Sequence, residues 1–475
     1  MSININERVF TMKDQEAFAK LSGDYNPMHV DEIRARRYIY GKPVVHGVHI
    51  VLWVLDEILK SYDENVSINW LKTKFIKPNF LNTSLKPEIK KNENGHFKID
   101  IFSGLTITAQ IEFFLESYVD LSIALVHDNF PDKLPTPDKS ITDIEGEKGK
   151  FQLYFSTSYG NENFKNINDK LPRIQIATLL ATTKMVGNTC PGLNSVFSDL
   201  EFSCSTEKSG AGIFSYEVIK IDKRFNIAYI NYESGNCYGN VTVFVRPGPK
   251  QQSGILSFNG KVGAEEFCGQ RALVIGGSRG IGEVTAKILA AGNASTVITY
   301  NLGKIDAENV VNEIRDAGKE SSSAYLNIQD LKVEDLTSLL TSYGITHVYY
   351  FASPQILSGT LSKISKQVLD SYLNFYLLSF ISIANAAIKV GVKYIFYPST
   401  VFLDEMPKNF PEYIIIKSAG EKACELLQLS NPSVNVYVPR LPKVGTDQTS
   451  GINSELLLSP DDIIIDHLRR SFIPK

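Results

Sequence analysis

The chain has 475 residues, 49 of them Lys or Arg and 52 Asp or Glu, for a formal net charge of −3, and 43% of its residues are hydrophobic. That length exceeds one compact core and implies two to four domains, while the composition is that of an ordinary soluble protein and excludes fibrous and disordered classes. Charge is spread without runs, so neither nucleic acid nor an acidic membrane surface is an expected partner.

No charged segment followed by an apolar one opens the sequence, and no uncharged apolar stretch reaches the roughly 18 residues a bilayer demands. The longest, around residues 377–390, reads as a buried helix. Cys190, Cys204, Cys237, Cys268 and Cys424 are odd in number and form no Cys-x-x-Cys pair. No metal site or disulfide framework is expected, and a reducing cytoplasm is the default location.

Taken in order, residues 6–12 alternate as a first strand, and 13–22 read as a short helix ending at Gly23. A polar loop carries Asp24 and His29. From 44 to 61 the apolar Val48, Val51, Leu52, Leu55, Ile58 and Leu59 recur at helical spacing with few polar interruptions, predicting a helix buried on most sides. Strands follow at 66–76, 85–90, 96–102 and 107–115. A buried helix followed by antiparallel strands is similar to the hot-dog arrangement, a sheet wrapped around a helix. Residues 128–150, with three prolines and dense charge, read as a linker.

The pattern then returns: an apolar helix at 174–186 and strands at 194–204, 213–221, 224–232 and 239–246. The similar spacing predicts an internal duplication. A second linker is expected over 247–269. Beyond it strands alternate with helices (271–275, 280–290, 296–300, 305–316, 348–351, 394–397, 434–438), which predicts a parallel, doubly wound sheet.

Gly276-Gly277-Ser278-Arg279-Gly280-Ile281-Gly282 lies between the first strand and first helix of that series. Glycines there allow a tight turn and close approach to a pyrophosphate resting on the helix N-terminus. Downstream, Tyr413 and Lys417 share a helix face; the ammonium can lower the phenol pKa and hold a ribose while the phenol gives a proton to a carbonyl. Ser399 and Thr400 precede Tyr413 by 14 and 13 residues, and Asn374 lies in the preceding helix.

Over about 268–450 this set resembles the short-chain dehydrogenase/reductase family. The resemblance implies a phosphate loop of Gly276, Gly280 and Gly282 with Ser278, Arg279 and Ile281, although Ile275 replaces the usual Thr. It implies Tyr413 and Lys417 as the catalytic pair, Asn374 as anchor of a proton-relay water, and a hydroxyl that is Ser399 by type or Thr400 by spacing. Asp330, closing Asn327-Ile328-Gln329-Asp330, falls in the adenine-contacting segment, and Thr446 in the 442–446 loop that closes over nicotinamide. Phe351-Ala352-Ser353-Pro354 replaces the usual Asn-Asn-Ala-Gly, with Ala352 on the cofactor side. No acid ends the second strand, Thr299-Tyr300-Asn301, where Asn301 takes the ribose-reading place; with Arg279 in the phosphate loop, this favours NADPH over NADH.

Gly23-Asp24-x-Asn26-Pro27-x-His29-x-Asp31 together with Val45-His46-Gly47 resembles the MaoC-like, R-specific enoyl-thioester hydratases of the hot-dog family, over about 5–120. The resemblance implies that Asp24 and His29 handle the water and the proton at the β and α carbons, while the Gly47 N–H, at a helix N-terminus, polarises the thioester carbonyl. His46 is expected to position the loop, His49 to pack in the helix, and Asp31 suits a helix N-cap. The second copy lacks these motifs and is expected to complete the first copy's fold and substrate tunnel without catalysis.

The combined expectation is an α+β double hot-dog followed by an α/β Rossmann-like doubly wound parallel sheet. It divides into a MaoC-like hot dog at 1–127, a degenerate second at 148–248 and a reductase domain at 268–475. A 3-oxoacyl reductase and a 3-hydroxyacyl dehydratase or 2-enoyl hydratase share one metabolite. That points to a bifunctional enzyme using NADPH and acyl thioesters of coenzyme A or acyl carrier protein. It needs no metal, membrane or nucleic acid, and homo-oligomers or pairing within one chain both stay open. The alternative is a reductase for a nucleotide-linked sugar, with the hot dogs as a non-catalytic acyl-binding or dimerisation module.

Overall fold

The computed structural model describes residues 3, 5–118, 126–205, 212–359, 364–449 and 457–470. Residues 1, 2 and 4, which entered the argument about targeting signals, lie outside the described residues. The chain divides into two compact units, Met1–Gly248 and Pro249–Ser450 with Glu455–Lys475. The two amino-terminal segments expected as separate domains therefore fall in one unit.

Unit one begins with β1 (Arg8–Val9) and α1 (Met12–Ser22), then the short α2 (Pro27–Val30) and α3 (Glu32–Ala35), the long α4 (Gly47–Leu59), and β2 (Val66–Phe75), β3 (Ser84–Glu93), β4 (His96–Ser103) and β5 (Thr106–Ser117). A second series follows: β6 (Lys148–Gln152), α5 (Thr157–Asn163), α6 (Lys165–Lys170), α7 (Arg173–Asn188), β7 (Ser195–Cys204), β8 (Ile213–Asp222), β9 (Ile227–Ser234) and β10 (Cys237–Val245). All these strands form one ten-stranded antiparallel sheet in the order β1-β3-β4-β5-β2-β7-β10-β9-β8-β6. Each half runs lead strand, buried helix, four strands, with the lead strand on the far edge, and the halves join where β2 pairs β7 from Trp70↔Ser203 to Lys74↔Asp199.

The helices are buried because their sequences leave little to solvate. Every residue of α4 from Val48 to Leu55 is buried, and so is every residue of α7 from Ile174 to Asn188. They share one core with Ile68, Leu71, Ile111, Phe202 and Val241 of the sheet. A fully buried leucine such as Leu52 or Leu179 stabilises by roughly 2 kcal/mol relative to an exposed one.

Three sequence expectations are corrected in unit one. The stretch read as a linker at 128–150 is packed: Ile144 is fully buried, and β6 pairs β8 with the Tyr216 ring lying over Gly149. A Pro-rich stretch without periodicity can still dock when its few apolar groups find a core. The first strand is only two residues long, because Thr11 and Asp14 form a capping box that starts α1 at Met12. Cys204 and Cys237 are directly opposite on β7 and β10 and form a disulfide, a pairing that a count of cysteines cannot foresee because it depends on register.

Unit two contains β11 (Arg271–Ile275), α8 (Gly280–Ala291), β12 (Ser295–Tyr300), α9 (Lys304–Asp316), β13 (Ser321–Tyr325), α10 (Val333–Ser342) and β14 (His347–Tyr350). Then come α11 (Lys366–Leu373), a π-turn (Asn374–Leu378), α12 (Ser379–Lys389), β15 (Tyr394–Phe396), β16 (Ser399–Thr400), α13 (Phe402–Glu405), α14 (Pro411–Ser430), β17 (Asn435–Tyr437), β18 (Arg440–Leu441) and α15 (Pro460–Arg470). Six strands form a parallel sheet in the order β13-β12-β11-β14-β15-β17, reversing direction of growth between β11 and β14. Ligands of such sheets bind beyond the strand ends at that reversal.

The edge strand β13, Ser-Ser-Ser-Ala-Tyr, carries no apolar periodicity to announce it. The linker expected over 247–269 is also corrected: Ile255, Phe258, Val262 and Phe267 are buried in the core of unit two, and the Phe267 ring lies over Gly292. Lys366–Lys389 is long and apolar enough to cross a membrane by length and composition. Its Tyr372, Tyr376, Phe380, Ile383 and Ala387 are buried within this unit, as in the core helix expected for 377–390.

One polar side chain bridges the halves in unit one beside the strand pairing. Gln175 of α7 accepts from the Ile68 N–H at 2.8 Å and donates to the Ile68 carbonyl at 3.0 Å, where the β2–β5 register slips between Ile68 and Trp70. Gln175→Leu would orphan two buried backbone groups at about 1–3 kcal/mol each. We expect a loss of about 2–4 kcal/mol, read from the urea midpoint of unit one; an unchanged midpoint would refute that role.

Candidate active sites

In unit one the local sequence builds the first site. Gly23 ends α1 in the left-handed region at φ 80°, which turns the chain sharply and delivers Asp24 into the interior. Asn26 then caps α2, its side chain accepting from the Met28 N–H, with Pro27 fixing the first helical position. That single turn carries His29 back towards Asp24. Asp31 caps α3, accepting from Ile33 and Arg34 N–H groups.

Polar atoms of Asp24, His29 and His46 lie within 4.8 Å of one another. Asp24 is buried, and its carboxylate accepts from Thr183 Oγ1 at 2.7 Å and from the Asn26 N–H at 3.2 Å. Burial pushes its pKa above the usual value, opposed first by His29 and then by those hydrogen bonds. His29 Nδ1 lies 2.8 Å from the Val44 carbonyl, which can only accept, so Nδ1 carries the proton and the neutral ring keeps its Nε2 lone pair. Burial lowers the His29 pKa, opposed by Asp24 and by the Val44 bond. The His46 ring stacks on His29 at 3.8 Å, with Nδ1 2.8 Å from Gln15 Oε1 and Nε2 3.1 Å from the Asp24 carbonyl. Burial pushes the His46 pKa well below the imidazole norm, reinforced by His29 and His49 and opposed by the bond to the Asp24 carbonyl. His49 is buried too, stacked on Phe18.

Gly47 opens α4, and no side chain caps that end. A side chain there would strike the Phe75 ring, whose nearest atoms lie 2.8 Å from a would-be Cβ. The start of this buried helix carries the positive end of its dipole.

Sequence reasoning expected the second half to complete the fold and tunnel of the first but did not name the residues that reach Asp24. Thr183, Gly187 and Asn188 of α7 all touch the Asp24 loop: Asn188 Oδ1 accepts from the Tyr25 N–H, and Asn26 Nδ2 donates to the Gly187 carbonyl at 3.0 Å. Nothing at those positions is a motif, since an isolated Thr or Gly in an apolar helix is unremarkable until the partner strand order is known. Gln15, also unforeseen, holds both the His46 N–H and its ring.

In unit two Gly276 has φ 79°, and a Cβ there would fall 2.7 Å from the Ala352 nitrogen. At Gly282 it would fall 2.3 Å from the Gly276 carbonyl oxygen. The turn closes only with glycine at both places, which explains their spacing. Arg279 precedes α8 in extended conformation, and no side chain caps the helix. The Arg279 guanidinium faces Asp447 at 3.8 Å. Ser278 and Ile281 flank Gly280, whose would-be Cβ lies 3.6 Å from Thr446 Cγ2, so the 442–446 loop covers this turn. Asn301 follows β12 and is exposed, and Asp330, also exposed, ends a turn whose Ile328 is buried.

Tyr413 and Lys417 lie one turn apart on α14, both buried. Burial raises the Tyr413 phenol, and the hydrogen bond of the Thr400 hydroxyl opposes the rise. Ser399 is directed elsewhere, donating to Glu421 at 2.5 Å. The structure thus sets Thr400, not Ser399, at the phenol. Lys417 donates to the Pro398 carbonyl at 2.7 Å, its Nζ 4.2 Å from the Tyr376 ring centroid and 5.7 Å from that of Tyr413. Burial brings Lys417 down to about 7. The group expected to lower the phenol is therefore itself poised near neutrality. Asn374 starts the π-turn and is exposed; two residues on, Tyr376 packs against Lys417 and Tyr413 and bonds Ser353 at 2.5 Å. Tyr376 is also a residue that sequence reasoning missed.

A family model described as MaoC like domain matches residues 2–110. The peroxisomal multifunctional enzyme type 2 of Mus musculus is 32% identical over 94 residues, which are 19% of this chain and 13% of the mouse protein. Among solved structures, an oxidoreductase, yciK, from E. coli covers 44% of this chain and 91% of its own, at 17% identity and TM-score 0.41. A short chain dehydrogenase from Burkholderia cenocepacia J2315 in complex with NADP covers 44% and 92%, at 22% identity and TM-score 0.39. At those scores the chemistry of unit two must be argued from its own residues.

The depressed Lys417 pKa makes a signed prediction. Between about 7 and 10.5 the unfolded chain holds that proton and the folded unit does not, so folding gains stability as pH rises through this window. Lys417→Met should stabilise unit two at pH 7, with the advantage shrinking towards pH 10 in urea titrations. An advantage independent of pH would contradict a buried lysine with this behaviour.

Proposed function

We propose that this chain is a bifunctional acyl-thioester enzyme: an enoyl-thioester hydratase or 3-hydroxyacyl dehydratase in unit one and an NADPH-dependent 3-oxoacyl reductase in unit two. Unit one is then a double hot dog, active in its first half. The observation that carries the reading is the convergence of Asp24 and His29 beside the uncapped start of α4.

The ionised carboxylate and the His29 Nε2 lone pair are both acceptors a few ångströms apart. What fits between two acceptors is a donor with two hydrogens, a water molecule. Loss of a proton to this pair makes the water a nucleophile for the β carbon of an enoyl thioester, and the same pair returns a proton at the α carbon. Charge then collects on the thioester oxygen, where the Gly47 N–H and the α4 dipole stabilise it.

For unit two, the glycine cradle and uncapped α8 fit a dinucleotide pyrophosphate, with Gly276, Gly280, Ser278 and Arg279 around it. The bound nicotinamide would supply hydride. Tyr413 gives a proton to the substrate carbonyl oxygen, Thr400 orients that phenol, and Lys417 can replace the proton. The absence of an acid at Asn301 and the presence of Arg279 support NADPH, although Arg279 must leave Asp447 to read a 2′-phosphate. The product of reduction is the substrate of dehydration, which supports one pathway for both units. The carrier is coenzyme A or acyl carrier protein.

Purified protein should hydrate crotonyl-CoA, and Asp24→Asn or His29→Ala should lower kcat by about 10²–10⁴. It should oxidise NADPH with acetoacetyl-CoA, a rate that Tyr413→Phe removes. Absence of both activities with coenzyme A and carrier-protein thioesters would dismiss the reading. Because burial raises Asp24, the acidic limb of hydration should lie above the ordinary carboxyl value of 3.8. A limb at or below that value would contradict this environment.

A further inference from the structure

The acid/base motif lies wholly in the first half of unit one, but the surroundings of the Asp24 carboxylate come from the second. Thr183 donates to Oδ2 at 2.7 Å and is itself buried, at 4% exposure. One turn along the same face of α7, Gly187 lies so close that a Cβ would fall 2.2 Å from Asp24 Oδ1 and 2.5 Å from Oδ2. The Asn26 side chain, which sets the turn between Asp24 and His29, donates to the carbonyls of Gly187 at 3.0 Å and Gly192 at 3.1 Å.

We propose that Thr183 and Gly187 are positioning residues for the hydration chemistry: Thr183 orients the Asp24 carboxylate by hydrogen bonding, and Gly187 leaves the space that this orientation occupies. The second half then completes the site of the first. This inference rests on the reading of Asp24 as the acid/base group.

A carboxylate in an apolar interior drifts towards its neutral form unless donors hold the charge. The Asn26 N–H serves one oxygen and Thr183 the other. Of the charged and titratable groups, His29 and His46 face the carboxylate from α2 and the start of α4, and Thr183 is the neutral donor from α7. Remove that donor and the carboxyl should take up a proton at higher pH. Its free rotation would also let it leave the water held against His29.

The test is Thr183→Val, which keeps the shape and removes the hydroxyl, beside Thr183→Ser, which keeps the donor. Two readouts are taken. The first is the pH profile of crotonyl-CoA hydration, whose acidic limb should rise by about one unit in the Val variant and return in the Ser variant, since a bond to a charged group is worth at least that shift. The second is the carboxyl 13C titration of Asp24 in the full chain labelled at aspartate, assigned by Asp24→Asn. It needs no turnover. An Asp24 titration that is unmoved in Thr183→Val overturns the proposal even if hydration is normal. If wild type hydrates nothing while the Asp24 titration still moves, the functional reading fails and the positioning role stands. Should the Val variant fold poorly, Thr183→Ala against Thr183→Ser makes the same comparison. Gly187→Ala should lose at least 100-fold in kcat with its near-ultraviolet circular dichroism retained; a rate within twofold of wild type would overturn the steric half.

Discussion

Taking a carboxylate out of water costs several kcal/mol unless donors replace the lost hydration, and unit one is arranged around meeting that demand at Asp24. The left-handed Gly23 turns the chain inward, Asn26 caps the next helix and offers its N–H, and Thr183 of α7 supplies the second donor. The α1–α2 loop supplies the first two of these but not the third, because the second donor stands 159 residues away in sequence. The pairing of the two halves is thus a requirement of the site as well as of the core.

The seam between the halves answers the same demand. Strand pairing of β2 with β7 brings α7 alongside the α1–α2 loop, and Gln175 pins that helix to the irregular point of β2. A shift of α7 by one turn would put Leu179 or Gly187 in the place of Thr183, and either lacks the hydroxyl. The register of a sheet and the ionisation of one side chain are therefore coupled through a single rigid helix. The second half carries no Asp and His motif, yet its α7 supplies contacts to Asp24.

Reading the sequence recovers much of this and fails in specific places. The helices α4 and α7 stand out because their apolar residues repeat at helical spacing over long runs, and the strands of both halves stand out by alternation. The Gly276–Gly282 turn and the Tyr413/Lys417 pair are local patterns, so one dimension suffices to see them. Thr183, Gly187 and Tyr376 matter only through partners distant in sequence, and no local pattern marks them. The choice between Ser399 and Thr400 could not be made from spacing, because it turns on which hydroxyl the β16 backbone points at the phenol and which at Glu421. The two supposed linkers show the opposite error: a few apolar groups, Ile144 in one and Phe258 and Phe267 in the other, are enough to dock a segment whose overall composition looks unstructured.

The two sites apply burial to ionisable groups in opposite senses. At Asp24 burial raises the carboxyl pKa, and His29 with the Thr183 and Asn26 donors opposes that rise. At Lys417 the partners are a backbone carbonyl and aromatic faces, and burial brings the ammonium down to about 7, so that it can give up or regain a proton at neutral pH. A carbonyl and ring faces can hold a cation but lend it less stabilisation than a carboxylate partner would, which keeps the lysine exchangeable. Glu421, which opposes the fall through its charge, is itself held by Arg440 at 2.7 Å and bonded by Ser399. Ser399 thus has a physical part in the second site through Glu421, at one remove from the phenol that Thr400 touches.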